Sequence, residues 1–259
     1  MVDSKVRNDD ALGWRLKLGV IVPATNTIVE PEFHGMTPAG VTCHTGRFPL
    51  KDVRISSDAD FERLVADIHA NLDRAVDDLM SAAPDHIIVG VSAESFWDGA
   101  DGAEAIRNRL SEKTGVSITL GSDAARVALE AVGAQRVGVL TPYWPVADER
   151  VQKYFDQCGF TAVRVTGLKA TSPLNIAEQS RATLRDAILD LDGDDIDTIV
   201  QVGTNLALAT LVDELEQELD KPVVAINVAL YWHALRQNGI NEPISGFGRL
   251  LNNLSLIHI

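Results

Sequence analysis

The feature that most limits what this chain can fold into is that its second half repeats its first. Leu18-Gly19-Val20-Ile21-Val22-Pro23 returns as Val137-Gly138-Val139-Leu140-Thr141-Pro142, 119 positions later. The run ending at Ser92 returns in the run ending at Thr204, 112 positions on, and residues 117–133 return as 223–239, 106 positions on. A helical pattern over 175–191 answers one over 58–82. The offsets shrink steadily, as loop deletions would make them. Any two α/β stretches look somewhat alike, but three matches in order, each ending in a turn residue, favour duplication. A unit of roughly 110 residues is too long for a solenoid repeat and describes a whole lobe.

Within each unit short apolar runs alternate with longer amphipathic ones. Residues 17–23, 41–45, 86–91 and 117–120 read as strands, and 102–114 and 122–132 as helices, the last stopped by Gly133. In 58–82 the apolar residues Phe61, Leu64, Val65, Ile68, Leu72, Val76 and Leu79 recur mostly at spacings of three and four, one face of a helix. Such βαβα alternation predicts parallel sheets covered by helices on both faces. The expected fold is therefore α/β: two pseudo-symmetric Rossmann-like lobes, 15–134 and 135–251, with a cleft between them. The last helix has the option of packing back on the first lobe. Residues 1–14 read as a disordered lead-in, and 252–259 (NNLSLIHI) as a non-native tail, which leaves His258 without a role.

The bulk properties narrow the partners. The net charge is −14 and no basic cluster occurs, which disfavours nucleic acid and anionic membranes. No apolar run approaches the roughly 18 residues of a membrane span, and residues 1–14 have no apolar signal core. Cys43 and Cys158 form neither a C-x-x-C nor a metal-like cluster, so a reducing cytoplasm is expected. There is no P-loop, no G-x-G-x-x-G after the first strand and no H-E-x-x-H, so neither cofactor nor metal is expected. An exposed apolar helix face leaves room for a homo-oligomer.

In open parallel sheets ligands bind beyond the carboxyl ends of the strands. Two facing lobes would bring four tips together: Pro23-Ala24-Thr25-Asn26, Ser92-Ala93-Glu94, Pro142-Tyr143 and Gly203-Thr204-Asn205. These residues are small or hydrogen-bonding, and several precede helices whose free N–H groups suit an anion. Gly90-Val91-Ser92-Ala93-Glu94 is also a near miss to the G-x-S-x-G nucleophile elbow, with Glu94 in place of the final glycine. A serine hydrolase using Ser92, an aspartate and His233 is thus a minor alternative, one that the lobed repeat fits poorly.

Val22-Pro23-Ala24-Thr25-Asn26-Thr27 with Glu30-Pro31-Glu32, then His44-Thr45-Gly46-Arg47, Val91-Ser92-Ala93-Glu94-Ser95-Phe96, Thr141-Pro142-Tyr143 and Gly203-Thr204-Asn205-Leu206 follow one another along the chain, with Trp232, Leu235, Arg236 and Gly239 near its end. Together they resemble the motifs of the maleate cis-trans isomerase and arylmalonate decarboxylase group of the aspartate/glutamate racemase superfamily, over about residues 16–251. The resemblance implies a small carboxylate held by Asn26, Ser92, Tyr143, Asn175 and Asn205, with backbone N–H groups around Ala93 and Thr204. Helix capping is an equal reading of Asn26 and of Asn175, and Tyr143 also reads as a core tyrosine. The group's isomerases use two thiols and its decarboxylases one; here those positions are Val91 and Gly203. Glu94, two residues past Ser92 at the expected mouth of the cleft, is the candidate to take over, against its plain reading as a first-turn helix acid. Asp98 and His233 are weaker candidates. The resemblance implies a cofactor-free isomerase or decarboxylase acting on a small mono- or dicarboxylate of the maleate or substituted-malonate class. Its alternative is a non-catalytic carboxylate-binding protein on the same fold.

Overall fold

The computed structural model describes residues 10–255. Among these, each half pairs four strands into its own parallel sheet, and the two sheets have the same strand order. The first joins β1 (Leu16–Pro23), β2 (Val41–Phe48), β3 (His86–Val89) and β4 (Ser117–Thr119) as β2-β1-β3-β4. The second joins β5 (Arg136–Thr141), β6 (Thr161–Gly167), β7 (Thr198–Gln201) and β8 (Val223–Ala225) as β6-β5-β7-β8. Equal order in two separate sheets is what duplication of a lobe produces.

The helices follow in chain order. The first half holds α1 (Val29–Met36), α2 (Asp58–Met80), α3 (Ala93–Trp97), α4 (Gly99–Thr114) and α5 (Gly121–Val132). The second holds α6 (Pro145–Gln157), α7 (Pro173–Ala177), α8 (Arg181–Leu191), one 3₁₀ turn (Ala209–Leu211), α9 (Val212–Leu219), α10 (Ile226–Gln237) and α11 (Arg249–Asn253). None among the described residues is long and apolar enough to cross a membrane.

The central strands β1 and β5 are buried almost throughout, as a covered parallel strand must be. Their repeat-equivalent glycines let a helix lie close on each. A Cβ on Gly19 would stand 2.8 Å from Leu79 of α2, and one on Gly138 3.0 Å from Ile196 and 3.6 Å from Leu191 of α8. The apolar face predicted for 58–82 is the face α2 buries, and Ser57 caps the helix by accepting the Asp60 N–H at 3.2 Å.

Two expectations are corrected. Residues 175–191 are not one helix: Ser172 caps α7, and Ser180 caps α8 by accepting the Thr183 N–H at 3.0 Å. The apolar spacing ran on across this break, and the serine start signals outweigh it. Nor is there a break after Leu251. Helix α11 continues to Asn253, and the Leu254 carbonyl accepts from Trp232 Nε1 at 2.9 Å and Arg236 Nε at 3.0 Å. At the other end, the Asp10 carboxylate accepts the Leu12 and Gly13 N–H groups in a turn. Residues 1–9 of the expected lead-in and 256–259 of the expected tail, His258 included, lie outside the described residues.

Helix α10 belongs to the second half but packs on α5, β3 and β4 of the first as well as on β8. It is buried from Ile226 to Arg236. Two of its polar residues reach the first lobe: His233 Nδ1 lies 3.1 Å from Thr119 Oγ1, which lies 2.8 Å from His86 Nε2, and Tyr231 donates to Thr37 Oγ1. Burial pushes His86 down to about 3 and His233 to about 4, so both imidazoles are neutral.

Candidate active site

The four strand tips meet at the seam between the lobes. After β1 the chain turns into α1 through Asn26. Its Oδ1 accepts the Ile28 and Val29 N–H groups, both at 3.0 Å, and its Nδ2 faces Thr204 Oγ1 of the other lobe at 3.4 Å. Asn26 therefore caps a helix with one end of its amide and reaches the seam with the other. After β3 comes Ser92, whose Oγ lies 2.8 Å from the Tyr143 hydroxyl and accepts the Thr204 N–H at 3.2 Å. Thr204 Oγ1 donates back across the seam to the Gly90 carbonyl at 3.0 Å. Asn205 completes the join, accepting the Thr27 N–H at 3.0 Å and donating to the Pro173 carbonyl at 3.0 Å.

Between these groups lies a cavity of about 60 Å³. Asn26, Ser92, Ala93, Tyr143, Thr204 and Asn205 supply its polar side, and the opposite wall is Leu50, Phe61, Leu64, Ile68 and Ile176. Loops from the two lobes are tied together over it: Ile55 N–H donates to the Thr171 carbonyl at 2.7 Å, and Leu174 N–H to Asp52 Oδ1 at 2.9 Å. Burial pushes the Tyr143 phenol far above its usual range, so it stays protonated and able to donate. The Ser92–Tyr143 pair shares one hydrogen bond and has two hydroxyl hydrogens, which leaves one for a ligand.

The structure thus brings together six of the residues expected to contact a ligand, and leaves out Asn175. Its Oδ1 accepts the Thr171 N–H at 3.1 Å and its Nδ2 donates to Glu178 at 3.0 Å, while Pro173 and Ile176 of the same turn face the cavity. Glu94 is also elsewhere. On a helix two residues differ by about 200°, so with Ser92 at the seam Glu94 is carried to the far side of α3. There it is 3% exposed, with Oε1 3.1 Å from His69 Nδ1 of α2 and Oε2 without a hydrogen-bond partner among the described residues. Burial raises its carboxyl above the ordinary range, against the pull of His69. Asp98, at the junction of α3 and α4, does not line the cavity. His233 bonds Thr119 and lies 3.3 Å from Gln237, not against Ser92, so the serine-hydrolase reading has no base.

Both positions that the resemblance assigns to thiols, Val91 and Gly203, line the cavity. Gly203 has φ +107°, and a Cβ there would stand 2.4 Å from Pro142 Cδ, so no side chain fits without a shift. Neither cysteine lines the cavity. Cys43 sits in β2 near Tyr231 and Thr37, where burial pushes its thiol up to about 11, and burial also raises Cys158 at the end of α6. What the motifs did not disclose is the apolar wall. Phe61, Leu64 and Ile68 carry the core periodicity of α2, and nothing in that spacing marks which turn of the helix ends at a cavity.

The fold and the pocket define a class: a duplicated two-lobed α/β protein whose strand tips enclose a hydroxyl- and amide-floored cavity at the seam. The chain belongs to the arylmalonate decarboxylase family, whose sequence pattern matches residues 18–251. It is 26% identical to a maleate isomerase of Nocardia farcinica (strain IFM 10152) over 93% of this chain and 97% of that protein. It is 29% identical to an arylmalonate decarboxylase of Bordetella bronchiseptica, over 61% of this chain and 67% of that protein. Among solved structures, a Nocardia farcinica maleate cis-trans isomerase variant with a covalently bound succinylcysteine intermediate superposes with a TM-score of 0.83 at 25% identity, covering 92% of this chain and 98% of that one.

Proposed function

We propose that this chain is a cofactor-free enzyme that acts on a small mono- or dicarboxylate at the seam, by C–C cleavage or proton transfer α to a carboxylate, without thiol chemistry. The observation that carries the reading is a buried donor set, the spare hydroxyl hydrogen of the Ser92–Tyr143 pair and the second hydrogen of the Asn26 amide, in a pocket whose remaining lining is largely apolar. Such donors bind one carboxylate and take up the charge that grows on it as the α-carbon becomes an enediolate. A second carboxylate pressed against Leu64 and Ile68 loses hydration, whereas the carbon dioxide formed from it is neutral. For a 2-substituted malonate the bond from the α-carbon to that carboxylate breaks, its electron pair enters the enediolate, and a proton from water, delivered directly or relayed through the Ser92–Tyr143 hydroxyls so that both end protonated, closes the reaction. The lining residues offer no thiol to add to an alkene, and none to deliver the proton after decarboxylation, so only a reaction in which water or a hydroxyl relay supplies that proton fits the pocket.

A second reading draws on the same lining. It holds no thiol, imidazole or carboxylate, as a non-catalytic carboxylate-binding protein would have it. Incubation in D₂O with 2-substituted malonates, maleate, hydantoins and amino acids, followed by proton NMR, separates the two. Loss of carbon dioxide or deuterium incorporation at the α-carbon supports the enzyme. Saturable binding with neither supports the binder.

A further inference from the structure

Glu32, the last residue of the Glu30-Pro31-Glu32 stretch, does not line the seam cavity, yet its carboxylate crosses the seam. From α1 its Oε1 accepts the Ala209 N–H at 3.0 Å, and its Oε2 accepts Asn227 Nδ2 of α10 at 2.6 Å. The same Asn227 nitrogen gives its other hydrogen to the Thr204 carbonyl at 2.9 Å. An amide nitrogen has two hydrogens, so both are used. Asn227 Oδ1, by contrast, is buried with no partner among the described residues. The orientation of this amide is therefore set from its nitrogen side, by Glu32 and by Thr204. Thr204 in turn is the residue whose N–H meets Ser92 Oγ and whose Oγ1 faces Asn26.

We propose that Glu32 is a positioning residue for the seam pocket: its charged carboxylate holds the Asn227 amide, which anchors the Thr204 carbonyl and so, through the Thr204 Cα, steadies the preceding peptide whose N–H is given to Ser92. This rests on reading that pocket as a carboxylate site. A charged acceptor makes a stronger and shorter bond than a neutral one, so the hold weakens when Glu32 takes a proton. Burial pushes its carboxyl up to about 7, against the Asn227 and Ala209 bonds that lower it. The groups facing it are the Asn227 amide from α10 and the Ala209 N–H from the 3₁₀ turn. The other ionisable side chains on α1 are Glu30, ion-paired with Arg47 of β2 at 2.7 Å, and the exposed His34.

The test is an NMR titration of the ligand-free full chain between about pH 5.5 and 8.5, a range wide enough to bracket such a carboxyl. The Glu32 carboxyl carbon, the Asn227 side-chain NH₂ and the Thr204 backbone amide should shift with one common midpoint near 7. In Glu32→Gln the transition at Thr204 should vanish, and in His34→Gln it should persist. A Thr204 amide that ignores pH, a midpoint different from that of the Glu32 carboxyl, or a transition lost in His34→Gln would overturn the proposal. The unmodified protein alone decides it if Glu32→Gln does not fold. The readout needs no ligand and no turnover, so a failed substrate panel and a failed titration are separate results.

Discussion

Ser92 and Tyr143 share one hydrogen bond but carry two hydroxyl hydrogens, and the spare one is available to a ligand in the cavity that both residues line. Hydrogen bonds to charged groups contribute about 1.5–3 kcal/mol. Tyr143→Phe should therefore weaken the binding of a 2-substituted malonate by roughly 10- to 100-fold in a calorimetric titration, with little loss of thermal stability. Unchanged affinity would remove Tyr143 from the site. Gly203 supports a second prediction. Its φ of +107° and the nearby Pro142 ring leave no room for a Cβ, so Gly203→Cys should lower stability by about 2 kcal/mol or more and should not create a working thiol. A thermal melt together with maleate turnover checks both halves. At this scale the sequence disclosed what lies at strand ends. Asn26, Ser92, Tyr143, Thr204 and Asn205 each follow an apolar run, and the end of a strand is a fixed place. Glu94 and Asn175 went astray because their helices rotate them away from the seam, and neither rotation is visible in a motif.

Helix α10 shows what one element can cost and contribute. Its His233 and the facing His86 are held neutral, at about 4 and about 3. Both values lie below the ordinary histidine range near 6.5, so the unfolded chain binds more protons than the folded one at mildly acid pH. Their contribution to stability is complete above about pH 6.5 and is lost as pH falls from there toward the folded values. Glu32, and Asp148 of α6, which accepts the Thr141 hydroxyl, act in the opposite sense. Burial raises them to about 7 and about 6, a penalty present above those values and relieved as pH falls toward the ordinary carboxyl range. Comparing thermal melts at about pH 7 and about pH 5 separates the terms: His233→Gln should fall less on acidification than the parent. An equal fall would show that His233 plays no part. The sequence identified α10 as a helix but could not show that it is buried all round, because Asn227, Tyr231 and His233 face partners in the first half, far away along the chain.

At the scale of the molecule the chain sets a local attraction against a global repulsion. Hydroxyls, amides and a backbone N–H line the polar side of the pocket, while the whole protein carries a net charge of −14. A dianionic ligand must cross that field. Salt screens it over about 10 Å at 0.1 M, whereas the buried donors are screened much less. Association of a substituted malonate should therefore quicken as ionic strength rises, with a smaller effect on dissociation, as stopped-flow binding would show. Slower association in salt would indicate a local cationic guide. The duplication was legible in its strands, because strand runs and turn residues keep their order even where helices differ, as α7 and α8 differ from α2. The cavity was legible only on its polar side.

The crossing of α10 has a consequence for descent. The two halves began as copies, but the second now supplies a helix to the interior of the first, where it covers α5, β3 and β4. The first half is thus closed by a helix that the second half carries. The fusion has become a ratchet: insertions and deletions can still drift through the outer loops, but gene fission between the halves would expose an interior that only the other fragment can close.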